Sequence, residues 1–202
     1  MAITIKSERE IELMTQAGRI LEIVHEEMEK ALKPGMTTLD IDAIGEEVIR
    51  SYGCEPSFLN YNGYPASICV SVNEEVVHGI PSRNRIIQEG DIVSLDAGLI
   101  YKGYHSDAAR THAVGEISEE AKKLIEVTRQ SFFEGIKYAK EGNYLFEISG
   151  AIGRYAAGFG YGVVRELCGH GIGTHLHEDP EIPNFPMMRR GPKLKAGMAL
   201  AI

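Results

Sequence analysis

One stretch with the character of a β-hairpin constrains the fold of this chain more than any other feature. It covers residues 94–112 and reads S-L-D-A-G-L-I-Y-K-G-Y-H-S-D-A-A-R-T-H. Val, Ile, Leu and Tyr on both arms, with Gly103 near the middle, predict two antiparallel strands over 91–100 and 103–114. The shortest connection between them is a turn at residues 101–102.

Each arm of this hairpin carries one aspartate, and a turn at 101–102 places Asp96 and Asp107 opposite each other on one face. Opposed Cβ atoms are about 4.5–5.5 Å apart, where like charges repel, and Asp is depleted in strands. A divalent cation held by both carboxylates would offset these costs. The alternatives are that the aspartates lie in solvent at a strand end or that they share a proton.

Composition excludes several classes of protein. The 202 residues are 44% hydrophobic and 25% charged, as in ordinary globular proteins, and a net charge of −8 without a basic block argues against a nucleic-acid partner. Cys54, Cys69 and Cys168 lack zinc-ribbon or redox-pair spacing, and their odd number argues against a disulfide framework. No leader and no long apolar run occur, so we expect no membrane partner and a cytoplasmic protein with reduced thiols.

Helical periodicity and capping residues predict four helices, and a period-two pattern predicts a strand over 68–72. The predicted helices cover about 8–32, Thr37 or Thr38 to Gly53, a segment following Ser118, and about 145–158. Helices grouped apart from antiparallel strands indicate an α+β protein with one sheet covered by helices on one face.

A weak internal repeat accompanies this order of elements. Four residues recur at a constant offset of 107, namely Lys33, Gly35, Ile41 and Gly53, which match Lys140, Gly142, Ile148 and Gly160. Four identities can arise by chance, but the repeated order of helix, glycine break, helix and strands favours a duplicated half. No linker separates the halves, so we expect them to share one core.

A second stretch with chemical potential covers residues 167–180 and reads L-C-G-H-G-I-G-T-H-L-H-E-D-P. His170 lies between glycines, which allow a close approach of the backbone to another group. In a strand, His175 and His177 would share one face and His170 the other. The alternative is a glycine-rich surface turn with exposed imidazoles.

His78, in V-V-H-G-I-P, is a further candidate. A neutral imidazole beside a metal site suits proton transfer or hydrogen bonding to a developing oxyanion. The alternative is a polar residue at a strand end.

Several motifs taken together resemble the methionine aminopeptidases, in particular the short bacterial type I form. They are N-G-Y-P-A-S-I-C-V-S-V-N-E-E-V-V-H-G-I-P, the two aspartate motifs, and C-G-H-G-I-G with H-E-D-P. The resemblance covers nearly the whole chain, and the motifs occur in the same order as in the family. It implies the pita-bread fold, an α+β fold with two pseudo-symmetric halves whose helices cover a curved antiparallel sheet.

The resemblance also implies roles for individual residues. Asp96, Asp107 and His170 match metal ligands, and Asp107 matches the one that bridges two metals. His78 and His177 match histidines that contact the substrate and its tetrahedral intermediate. Four residues match the methionine side-chain pocket: Tyr61, Tyr64, Cys69 and Leu176. His175 matches no functional position.

The family has two further glutamate ligands, the first directly after the segment that here reads K-A-G-M-A-L-A-I. We therefore expect residues 1–202 to form one catalytic domain that is incomplete at its C-terminus. Either the chain is a portion of a longer enzyme, which we favour, or it ends there and is inactive.

The activity implied by the resemblance is removal of the N-terminal methionine from nascent proteins and peptides by two divalent metal ions. Oxygen ligands with one imidazole suit Mn, Fe or Co, and the sequence does not choose among them. We expect a monomer with at most transient ribosome contact. A prolidase or X-Pro aminopeptidase, or a non-catalytic protein of the same fold, are the alternative assignments.

Overall fold

The structure is a computed structural model that describes residues 2–202, which divide into two compact units. The N-terminal unit is Glu12–Lys122, and the C-terminal unit is Lys123–Ile202 together with residues 2–11. In the described part of the chain, no helix is both long and apolar enough to cross a membrane. That residues 1–202 make up one catalytic domain stays a prediction.

Within residues 2–202, the regular structure consists of four α-helices, one 3₁₀ turn and seven strands. The helices are α1 (Glu8–Ala31), α2 (Thr38–Ser51), α3 (Glu119–Ile136) and α4 (Leu145–Gly158). The strands are β1 (Glu55–Pro56), β2 (Ile68–Val72), β3 (Ile92–Tyr101), β4 (Tyr104–Ala113), β5 (Cys168–Gly171), β6 (Glu178–Pro183) and β7 (Leu200–Ala201).

The sequence locates the helix starts well because each is capped by a local side chain. The Glu10 carboxylate accepts a hydrogen bond from the Ser7 backbone N–H at 2.7 Å, as a capping box requires. Thr37 and Asp40 form the equivalent box at the start of α2. The predicted helices over 8–32 and 145–158 are confirmed within one residue at each end.

The internal repeat appears in the structure as two helices at the same spacing. Helix α4 begins and ends 107 residues after α2, which is the offset found between the matching residues. The expected α+β combination of helices with antiparallel strands is confirmed. The described residues form a four-stranded sheet in the N-terminal unit and a three-stranded sheet in the C-terminal unit.

Strand β3 is the centre of the N-terminal sheet, and its two faces have different neighbours. β4 pairs with it along its whole length, so β1 and β2 share its other edge. Val93, Leu95, Ala97 and Leu99 are fully buried and belong to one hydrophobic cluster with the apolar side of α1. The alternate residues of β3, including Asp96, therefore lie on the face away from that cluster.

The hairpin register predicted from the sequence is wrong by one step at the turn. The structure pairs Tyr101 with Tyr104, so the turn consists of Lys102 and Gly103. Both have positive φ angles, 49° and 86°. Two-residue hairpin turns favour positive φ at both central positions, because this conformation matches the strand twist, and glycine adopts it without strain. The glycine therefore lies within the turn and not beside it.

The C-terminal unit has its own sheet and hydrophobic cluster. β5 lies between β6 and β7 and pairs antiparallel with both. The buried cluster combines the apolar side of α4 with residues of β6 and of the loop before β7, namely Leu145, Ile148, Ile152, Ile182 and Leu194.

A buried histidine links α1 to β4 in the N-terminal unit. His25 is 1% exposed, and its Nε2–H donates to the Ala108 carbonyl at 2.9 Å. Its Nδ1 has no hydrogen-bond partner among residues 2–202. Burial lowers the pKa of His25 from 6.5 to about 4, because a second N–H and a positive charge would both be buried.

We expect His25 to make the protein acid-labile. Because its native pKa lies below the unfolded value, its contribution to stability is complete above pH 6.5 and is lost as the pH falls towards about 4. The variant His25→Gln keeps an N–H donor but does not titrate. Between pH 7 and pH 4.5, the free energy of unfolding of this variant should therefore fall by about 2 kcal/mol less than that of the wild type. Urea unfolding at both pH values measures this, and equal losses in the two proteins would contradict it.

Candidate active site

Asp96 and Asp107 lie on one face of the β3–β4 hairpin but are not directly opposed. Asp96 pairs with Ala109 and Asp107 pairs with Gly98, so the aspartates are diagonal neighbours. Diagonal Cβ atoms in a sheet are about 7–8 Å apart or somewhat less. The predicted shared face is therefore correct, and the predicted direct opposition is wrong because the turn lies one residue further along.

This arrangement fits a divalent cation better than direct opposition would. Each carboxylate faces a residue with little or no side chain, Ala109 or Gly98, so space remains between the two acids. Hard divalent cations take carboxylate oxygens at about 2.0–2.6 Å. Among residues 2–202, no group of three or more His, Cys, Asp or Glu side chains is arranged to hold a metal ion. Asp96 and Asp107 are therefore two candidate oxygen donors on one face of the hairpin.

Cys69 lies directly beside Asp96 on the same face, because β2 pairs Cys69 with Asp96. It is 4% exposed. The pKa of the Cys69 thiol is raised to about 12, mainly by burial and further by the charges of Asp96 and Asp107, while a hydrogen bond with Tyr64 opposes the rise. The thiol is therefore neutral at physiological pH and provides a small, apolar wall beside the carboxylates.

Tyr64 and Gly79 hold the backbone that carries His78. The Tyr64 hydroxyl donates to the carbonyls of Gly79, at 2.9 Å, and Ile68, at 3.2 Å. Burial raises the pKa of Tyr64, so this donor is retained. The Gly79 N–H donates to Ser71 Oγ at 3.0 Å, and its carbonyl accepts from the Val70 N–H at 2.9 Å.

This anchoring forces an unusual backbone at His78. A Cβ on residue 79 would lie 2.3 Å from the Val70 carbonyl oxygen, so only glycine fits against β2. His78, the preceding residue, has a φ of 58°, a left-handed conformation that costs a non-glycine residue about 1–3 kcal/mol. Such strain is typical of functional positions. His78 is exposed, and the residue that follows it is hydrogen-bonded to β2 at Val70 and Ser71.

Tyr61, the remaining pocket candidate in this unit, lies in a single 3₁₀ turn, Tyr61–Gly63. The residues on either side, Asn60 and Asn62, have φ angles of 64° and 49°. Asparagine tolerates this conformation better than most residues. The Tyr61 side chain is 37% exposed.

In the C-terminal unit, His170 and His177 lie against each other. Their ring centroids are 4.3 Å apart and the rings are inclined at 67°. The His170 Nδ1–H donates to the Gly171 carbonyl at 2.9 Å, which orients the imidazole ring. Metal-ligating histidines commonly donate one ring N–H to a backbone carbonyl in this way.

The predicted face assignment of these histidines is wrong, because residues 172–177 form a loop between β5 and β6 and not a strand. His170 is on β5, whereas His175 and His177 are in the loop. Leu176 is 3% exposed, as expected of a pocket wall. The glycines allow close packing as predicted: a Cβ on Gly171 would lie 2.1 Å from the Asp179 carbonyl oxygen.

A buried ion pair that the sequence analysis missed fixes this loop. Lys6 Nζ lies 2.7 Å from the Glu178 carboxylate, and both side chains are less than 10% exposed. Glu178 also accepts hydrogen bonds from Thr4 and from the His175 backbone N–H. Burial tends to raise the pKa of Glu178, but these bonds outweigh it and the pKa lies below its ordinary value. Lys6 and Glu178 are 172 residues apart, so no local pattern indicates the pair.

Comparison with known proteins gives consistent matches. The model of metallopeptidase family M24 matches residues 12–202. A methionine aminopeptidase of Clostridium acetobutylicum is 57% identical over 200 residues, which are 99% of this chain and 80% of that protein. The crystal structure of a methionine aminopeptidase from Thermotoga maritima matches with a TM-score of 0.96 at 42% identity, covering 98% of this chain and 80% of that one.

Xaa-Pro dipeptidases are more distant neighbours. The structure of one from Bacillus anthracis matches with a TM-score of 0.84 at 30% identity. The match covers 97% of this chain but only 53% of the dipeptidase chain.

We expect Lys6→Met to destabilise the protein strongly, because it leaves the buried Glu178 carboxylate without its counter-charge. Breaking one side of a buried pair costs about 3–5 kcal/mol. Adding Glu178→Gln to Lys6→Met should recover part of this loss, since the amide is neutral and still accepts from Thr4. Urea unfolding gives the free energy of unfolding of the wild type, of Lys6→Met and of the double variant. A loss below about 1 kcal/mol in Lys6→Met would contradict the assignment of a buried pair.

Proposed function

The chain belongs to metallopeptidase family M24, and from that membership we propose that it removes the N-terminal methionine from peptides and nascent proteins. The observation that carries the proposal is the face of the N-terminal sheet on which Asp96, Asp107 and Cys69 are neighbours. A pair of carboxylates beside a neutral, apolar wall suits hydrolysis of an amide next to a thioether side chain.

The proposed metal ligands are Asp96, Asp107 and His170. Two observations support them: the carboxylates share one face, and the Gly171 carbonyl orients the His170 ring by accepting from its Nδ1–H, as in many metal-ligating histidines. M24 metallopeptidases use divalent metal ions, which when bound supply the Lewis acidity that polarises an amide carbonyl. We propose two ions, drawn from Mn, Fe and Co, because oxygen ligands with one imidazole suit these metals.

The remaining site residues are proposed to bind and orient the substrate. Tyr61, Tyr64, Cys69 and Leu176 would form the pocket for the methionine side chain. His78 would hydrogen-bond the substrate amide, held for this by the bonds to Gly79. His177 would donate a hydrogen bond to the oxyanion that develops at the scissile carbonyl.

We extend the proposal to the cellular setting. The three free cysteines, of which Cys54 and Cys69 are buried, agree with a reducing compartment such as the cytoplasm. Nascent chains are the proposed substrates, with transient contact to the ribosome. The protein is proposed to act as a monomer.

Cleavage of X-Pro peptides is the alternative activity, since Xaa-Pro dipeptidases share the fold. The identity of 57% to a methionine aminopeptidase against 30% to a dipeptidase favours the first assignment. Comparing Met-Ala-Ser with an X-Pro peptide separates the two, because only the former carries an N-terminal methionine followed by a small residue.

In a chain that also carries the two further glutamate ligands implied by the family resemblance, we expect Asp107→Ala to lose both Mn²⁺ binding and metal-dependent release of Met from Met-Ala-Ser, because the variant lacks one of the two carboxylates on the face. Calorimetric titration with Mn²⁺ and a peptide assay measure the two effects. Ser106→Ala is the matched control, since it changes the neighbouring residue on the opposite face of β4. Wild-type Mn²⁺ stoichiometry and turnover in Asp107→Ala would contradict the assignment.

A further inference from the structure

Gly98 leaves a gap in the sheet directly beside Asp107. Asp107 pairs with Gly98 across the β3–β4 ladder, and on the other edge of β3 the Ser57 N–H donates to the Gly98 carbonyl at 2.9 Å. Asp107, Gly98 and Ser57 therefore form one row across three strands. A Cβ on residue 98 would lie 3.0 Å from Ser57 Cβ, which shows that the Ser57 side chain is on the face that carries Asp107.

Through this gap the Ser57 side chain, beside one edge of β3, reaches the His105 side chain, beside the other edge. The Ser57 hydroxyl and His105 Nδ1 are hydrogen-bonded at 2.8 Å, although β3 runs between them. Ser57 is 5% exposed. His105 precedes Asp107 by two residues on β4, so both side chains are on the same face. A larger residue at 98 would collide with Phe58, whose Cε1 would be 2.8 Å from the added Cβ.

We propose that Ser57 and His105 are a positioning pair that holds the Asp107 carboxylate in the orientation required for a divalent cation. The inference rests on the proposed function, in which Asp107 is a ligand. The hydrogen bond holds the His105 ring on the face that carries Asp107, and Ser57 and Phe58 lie against Gly98, the residue that pairs with Asp107. Ligand carboxylates bind best when neighbouring groups restrict their rotamers in advance.

Removing the Ser57 hydroxyl has different consequences for a structural role and for a positioning role. A purely structural role would change stability alone, because the bond links the residue that follows β1 to β4. A positioning role also weakens metal binding, and loss of such supporting partners typically costs about 10–100-fold in metal affinity. Because the two side chains act as one unit, Ser57→Ala, His105→Gln and the double variant should lose similar affinity, not additive amounts.

The experiment is a calorimetric titration of the full chain with Mn²⁺, combined with urea unfolding. We expect Ser57→Ala to raise the Mn²⁺ dissociation constant about 10-fold or more. Thr38→Val is the control: Thr38 is also buried in the N-terminal unit and hydrogen-bonded, in its case to Ser82, away from the strand face. It should lower stability and leave the Mn²⁺ dissociation constant unchanged.

Wild-type Mn²⁺ affinity in Ser57→Ala, with a stability loss like that of Thr38→Val, would overturn the positioning role. Should Ser57→Ala fail to fold, His105→Gln decides the question in the same way. If the wild-type chain itself binds no Mn²⁺, the proposed ligand set fails and the inference fails with it. That result is distinguishable, because it appears before any substitution is made.

Discussion

The register of the β3–β4 hairpin is the constraint on which the N-terminal half of the candidate site depends. Lys102 and Gly103 take positive φ angles, and this turn places Asp96 and Asp107 diagonally on one face instead of directly opposite each other. A shift of one residue on one strand would send its carboxylate to the hydrophobic side, where α1 packs. The buried face therefore enforces the register, and the register places the acids.

The rest of that face is organised by groups that approach β3 and β2 closely. Cys69 is paired with Asp96, and Gly79 is bonded to β2 by its N–H and its carbonyl, which leaves His78 in a strained conformation. Gly98 provides the gap through which Ser57 reaches His105. The close packing at Gly79 and Gly98 thus determines where several candidate site residues lie, which a count of polar residues does not reveal.

Local features of the sequence predicted local structure well. Capping residues located the helices, and the offset of 107 between matching residues recurs between α2 and α4. The predicted turn was wrong because the sequence fits a turn at Tyr101-Lys102 about as well as one at Lys102-Gly103. The predicted strand at 172–177 was wrong because this glycine-containing segment is a loop. The pairs Lys6–Glu178 and Ser57–His105 join distant parts of the chain and have no local pattern, so only the structure reveals them.

We propose that Asp96 and Asp107 together hold a divalent cation on the hairpin face. Anomalous X-ray scattering from crystals grown with Mn²⁺ is the decisive measurement, because it locates the ion independently of activity. We expect an anomalous peak within about 2.5 Å of oxygens from both carboxylates. A well-ordered structure with no peak at these carboxylates, or with Mn²⁺ bound only elsewhere, would contradict it.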